Sequence, residues 1–133
     1  VKSLLALALV LASGTAMAGA YSGKYPVTLT HAMPGNGGTY CLTLVDNGSV
    51  GWPHSGQASL SSKNGTLPYG SFQLIGGFLV ATIQSSSDTG DNAGLVFIAP
   101  VSNGVLGAGT FDEVYGGEEM VSAVATFGAK NGC

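Results

Sequence analysis

Five Asn-Gly dipeptides, at 36–37, 47–48, 64–65, 103–104 and 131–132, cut this chain into segments too short for most folds. Asn-Gly tolerates positive φ at both central positions of a tight turn, which is what a two-residue type I′ hairpin demands. The segments between these marks are rich in Val, Ile, Thr, Phe and Tyr, and some alternate strictly. Tyr40, Leu42 and Leu44 interleave with Cys41, Thr43 and Val45. Val121, Ala123, Ala125 and Phe127 share one face of the last segment, with Ser122, Val124 and Thr126 on the other. Period-two patterning bounded by turn residues predicts strands at 25–31, 39–45, 49–52, 56–61, 70–75, 78–84, 94–99, 105–112 and 119–128. Past residue 20 no segment carries an apolar stripe of helical period over ten residues.

Such a chain is expected to be all-β. Consecutive hairpins favour a small antiparallel up-and-down barrel, with a two-sheet β-sandwich as the alternative. Cys41 and Cys133, the only cysteines, tip the choice toward the barrel. Their pairing would tie the C-terminus to the second strand and bring the last strand near an early one. An even pair in an exported chain is expected to be a disulfide. Closing a loop over most of the domain, it would contribute about 4–5 kcal/mol through chain entropy. No CxxC motif or neighbouring cation suggests a reactive thiol pair instead. In size and strand count the chain is similar to small secreted barrels of the avidin or lipocalin kind. That likeness concerns fold alone, since an avidin-type pocket would need several tryptophans and this chain has one.

The first twenty residues predict the compartment. Lys2, an unbroken apolar run from Leu4 to Ala12, and small residues ending at Ala18 or Ala20 form the pattern of a cleaved signal peptide. The run is too short to cross a bilayer, which takes about 20 residues. The reading is therefore a signal peptide over 1–20 and one all-β domain over 21–133, secreted or periplasmic, with no membrane span in the mature chain. There is no Arg, and beyond the signal only Lys24, Lys63 and Lys130 stand against seven acids. Nucleic acid requires clustered cations to displace counterions, so it is excluded as a partner.

An internal likeness bears on the acids. Gly70-Ser-Phe-Gln-Leu-Ile-Gly-Gly77 precedes a strand containing Ala81-Thr82, and Gly109-Thr-Phe-Asp-Glu-Val-Tyr-Gly-Gly117 precedes one containing Ala125-Thr126. One hairpin design used twice accounts for this, with Phe72 and Phe111 in the core and the paired glycines in the turns. Only the second copy carries Asp112, Glu113, Glu118 and Glu119. Alternation sends neighbours to opposite faces, so one acid from each side could meet its counterpart across the ladder. Opposed carboxylates call for a cation such as Ca²⁺ or a shared proton. The competing expectation is a solvated hairpin tip that discourages edge pairing.

The second candidate is the loop Ser49-Val-Gly-Trp-Pro-His-Ser-Gly56. Trp52 could stack on a ligand and His54 give it a directional hydrogen bond, with Pro53 holding the geometry between them. Against that, a lone Trp commonly fills core volume. His31 and His54 lack a zinc-ligand spacing, the segment with Asp88 and Asp91 lacks the closing Glu of a calcium loop, and no GxSxG occurs. Asn47 and Asn64 match the glycosylation pattern. The functional expectation is a non-catalytic exported β-domain that binds a small ligand or a protein or polysaccharide surface through Trp52, His54 and Tyr115. It needs no cofactor, Ca²⁺ at the acidic hairpin excepted. One alternative is a cation-assisted hydrolase using 112–119, and another a structural or self-assembling surface protein.

Overall fold

A computed structural model describes residues 19–31, 38–48, 54–86, 92–115 and 118–133. The expected strand at 49–52, Trp52 and nearly all of the expected signal peptide lie outside the described residues. Among those described there is no helix. The strands are β1 (Gly23–His31), β2 (Gly38–Asp46), β3 (Ser55–Ser62), β4 (Gly65–Leu67), β5 (Gly70–Ile75), β6 (Phe78–Ser86), β7 (Asn92–Ser102), β8 (Val105–Leu106), β9 (Gly109–Tyr115) and β10 (Glu118–Phe127).

Eight of them form a closed antiparallel barrel in chain order, β1-β2-β3-β5-β6-β7-β9-β10, with β10 returning to β1 through Val27↔Phe127 and Thr28↔Thr126. The short strands β4 and β8 fold back on β3 and β7 as side hairpins. The sandwich alternative is thereby excluded. Closure also removes the free edges that an eight-strand open sheet would expose.

An eight-stranded barrel is just wide enough to be filled by side chains, and this one is. Val27, Leu42, Leu44, Phe72, Leu79, Ala81, Ile83, Phe97, Ala99 and Ala125 are essentially inaccessible. They interleave large with small. The inward row Phe72–Ala81–Phe97–Phe111–Ala123 crosses five strands in register, so each alanine makes room for a flanking phenylalanine. The Phe97 and Phe111 rings lie 5.0 Å apart, and Phe127 meets Phe97 edge-on at 6.3 Å. The two hairpins likened above thus share a structural logic, with Phe72 opposite Ala81 and Phe111 opposite Ala123. They point to opposite ends of the barrel. The second is one residue longer on the β9 side and two on the β10 side, and a bulge between Glu119 and Val121 takes up the extra residue of β10.

Two local expectations are corrected. The single strand at 105–112 is two strands: Asn103 and Gly104, at φ 51° and 77°, make a tight turn that lays β8 back on β7. The Gly107 amide then donates to the Pro100 carbonyl, and the chain bends before β9 begins at Gly109. Asn47-Gly48, by contrast, is not a two-residue turn. Asp46 pairs with Gly56, so the connection runs from Asn47 to His54. The reason is local chemistry at Asp46, described below.

The Cys41–Cys133 disulfide is present, spanning 92 positions with Cα atoms 6.1 Å apart. It anchors a C-terminal segment that also hydrogen-bonds along β1, Gly128 to Pro26 and Asn131 to Lys24. Such a bond is consistent with an oxidising compartment, outside the cell or in the periplasm. No described helix is long and apolar enough to cross a membrane.

Candidate functional site

Inward positions of β2 read Leu42, Leu44, Asp46, so the alternation that fills the core ends on a carboxylate. The Asp46 side chain is wholly buried at the barrel end where β1, β3, β6 and β9 begin. Burying a charge is costly unless it is paired and hydrogen-bonded, and here both oxygens are engaged. Oδ1 accepts the Gly48 amide at 2.8 Å, closing a turn within the β2–β3 connection. Oδ2 accepts the Tyr21 amide at 3.2 Å and the His54 imidazole, whose Nδ1 lies 2.7 Å away. A carboxylate only accepts, so the proton of that bond sits on Nδ1. The Asp46 amide donates in turn to Ser22 Oγ at 2.8 Å.

One side chain therefore fastens three separate pieces of chain: the segment entering β1, the start of the β2–β3 connection, and its end. Gly48 is needed for this, because a Cβ there would lie 2.8 Å from Asp46 Oδ1 and 2.9 Å from His54 Nδ1. Around the pair, the Tyr21 ring meets the His54 ring edge-on at 5.0 Å, and the Tyr25 hydroxyl donates to the Tyr21 carbonyl. Burial raises the phenol pKa of both tyrosines, and the Asp46 charge raises them further, with Tyr21 adding to the effect at Tyr25.

Beside this fastening lies a depression of about 600 Å³, lined by Tyr21, Leu74, Gly76, Gly77, Val101 and Asn103 among others. His54 backs it twice, through its contact with Tyr21 and through its carbonyl, which accepts the Leu74 amide. The His54 side chain keeps about 15% exposure. Ile75, Phe78 and Val105, all exposed, stand on the flanking hairpins at the same end. The arrangement offers an apolar rim over an aromatic floor, with the imidazole held in one orientation behind Tyr21.

Tyr115 sits at the other end, where it pairs with Ala93 and Glu118. The barrel therefore brings His54 and Tyr115 to opposite mouths, and they do not share one site. His31, at the far end of β1, is likewise remote from His54. Register sets the positions of the acids. Asp112 takes an outward position opposite Ser122, and Glu113 an inward one between Leu95 and Val121. Glu118 pairs with Tyr115 and Glu119 with Val114, so no acid is the direct ladder partner of another. Among the described residues no group of three His, Cys, Asp or Glu side chains is placed to hold a metal ion.

Sequence reasoning flagged His54 but passed over Asp46, Tyr21 and Leu74. The available signal was an acid in phase with Leu42 and Leu44 at a strand end. No protein-family model, curated protein or solved structure matches this chain.

Proposed function

We propose that this is a non-catalytic exported β-barrel domain that binds a small ligand or a partner surface at the Tyr21–His54 end. The observation that carries the reading is the depression of about 600 Å³ over a floor fastened by the buried Asp46. Recognition sites are commonly concave and apolar with a few fixed polar groups, and Leu74, Val101, Tyr21 and Asn103 meet that description, with the Asp46-held imidazole behind Tyr21. The filled interior favours the end of the barrel over its lumen. Export is supported by the disulfide and by the signal-like pattern of residues 1–20. Among described residues the contact set is Tyr21, His54, Leu74 and Val101; Trp52, from the same β2–β3 connection, belongs to the proposal on sequence grounds.

The test is a screen of small aromatic and hydroxylated compounds by amide chemical shifts. Ligands are expected to move Tyr21, Leu74, Gly76, Val101 and Asn103, and to bind His54→Ala at least tenfold more weakly. Hits that move none of these amides would refute the site. Self-assembly through the outer wall is a second reading, favoured by exposed Ile75, Phe78, Ile98 and Val124. It predicts a light-scattering mass that grows with concentration, and a constant monomer mass removes it.

A further inference from the structure

At the end of the barrel opposite His54, the outer wall carries a second concavity with different chemistry. We propose that this groove, beside Tyr69, binds a neutral saccharide, one pyranose unit stacking on the Tyr69 ring while its hydroxyls bond to Gln84, Thr82 and Ser71.

The groove has a volume of about 570 Å³ and is lined by Tyr69, Gly70, Ser71, Thr82, Gln84 and Gly94, among others. Strand register makes it a regular platform. Gln84, Gly94 and Val114 stand in one row across β6, β7 and β9, and Ser71 and Thr82 face each other in a neighbouring row. The Tyr69 carbonyl accepts the Gln84 amide at 2.8 Å, which sets Tyr69 at the head of the first row. Pro68 restricts the backbone immediately before it.

Three observations give the ligand class. First, Tyr69 is 73% exposed, an unusual position for a large aromatic ring held on a pinned backbone. Such a ring presents an apolar face and a polar tip, matching the C–H face and hydroxyl edge of a pyranose. Second, the lining contains no charged side chain: its polar groups are hydroxyls and an amide that both donate and accept, set beside Ile83 and Val114. That set suits a neutral polyhydroxylated ligand, and the net charge of −3 disfavours anionic ones. Third, Gly94 has no structural reason to be glycine. Its φ lies outside the left-handed region, and a Cβ there would meet nothing within 4 Å. Glycine inside a strand weakens it, yet here it keeps the groove floor clear of a side chain. A peptide adding as an extra strand is not an option, because the floor is the outer face of paired strands in a closed barrel.

The experiment is an amide chemical-shift titration of the full disulfide-bonded chain with maltotetraose, cellotetraose and chitotetraose, each to about 10 mM, some ten times a millimolar Kd. At least one is expected to move Tyr69, Gly70, Thr82, Gln84 and Gly94. Tyr69→Ala should weaken it at least tenfold, while Tyr69→Phe, which keeps the stacking face, stays within about threefold. Gly94→Gln should abolish binding with an unchanged or higher Tm, separating a filled groove from a damaged fold. The proposal is overturned if no tetrasaccharide moves these amides, if the shifts fall instead around Tyr21 and Val101, or if Tyr69→Ala and Gly94→Gln bind as the wild type does.

Discussion

Asp46 and Glu113 both occupy inward positions in this barrel, at opposite ends, and their surroundings differ. Asp46 continues the buried row of β2 and is met by the Tyr21 and Gly48 amides and the His54 imidazole. Glu113 continues the row of β9 beside Leu95 and Val121 at the opposite mouth, where it is only half-buried. A carboxylate held by several donors and excluded from water organises the chain around it. One that keeps access to water can retain its hydration and organises little. Crowding of acids along a sequence is thus a poor guide to where a charge matters, and burial with partners is a better one.

The largest expected effect tests that contrast directly. Asp46→Ala leaves two backbone amides and an imidazole without their acceptor, and should cost about 3 kcal/mol. Glu113→Gln should stay within about 0.5 kcal/mol, as for an ordinary surface change. Chemical denaturation of the two variants decides it, and equal losses would break the comparison. Gly48→Ala comes next. Its methyl group would enter the space between Asp46 and His54, at an expected cost of about 1–3 kcal/mol for overpacking. The matching change at the other end, Gly94→Ala, meets open space and should be neutral or stabilising by up to about 1 kcal/mol. A destabilised Gly94→Ala would remove the argument that its groove is free.

The smallest effect is alkaline. Tyr21 and Tyr25 hold their protons more tightly folded than unfolded, because burial and the Asp46 charge disfavour phenolate. Their contribution is complete below the ordinary phenol value of 10.0 and declines as pH rises above it. Melting temperature should therefore fall more steeply above pH 10 in the wild type than in Tyr21→Phe. Identical slopes would mean that neither burial nor Asp46 raises the Tyr21 phenol.

Much of the frame was legible because its signals are local. The strand at 70–75 and the turn at Gly76-Gly77 follow from alternation around Phe72 and from two glycines with positive φ. The disulfide followed from cysteine number and the expected compartment. Asp46 is obscured because Asp46-Asn47-Gly48 carries so strong a turn signature that it hides the phase with Leu42 and Leu44. Its partners also come from elsewhere, Tyr21 from 25 residues upstream and His54 from 8 downstream. The Tyr69 groove was still harder to foresee. It is assembled from outward residues of neighbouring strands, and such positions leave no periodic trace once the apolar rows have been assigned. The acidic hairpin shows the opposite relation between sequence and register. Its four acids are close along the chain, yet Glu118 pairs with Tyr115, and a bulge shifts the register beyond.

The most direct test of the central claim uses a compound that binds in the amide-shift screen, titrated into the wild type and into D112N/E113Q/E118Q/E119Q. The account predicts the same affinity for both, within about threefold, or 0.7 kcal/mol, with shifts at Tyr21, Leu74, Val101 and Asn103 in each. Loss of binding in the fourfold variant, with its fold intact, would contradict it and return the function to the acidic hairpin.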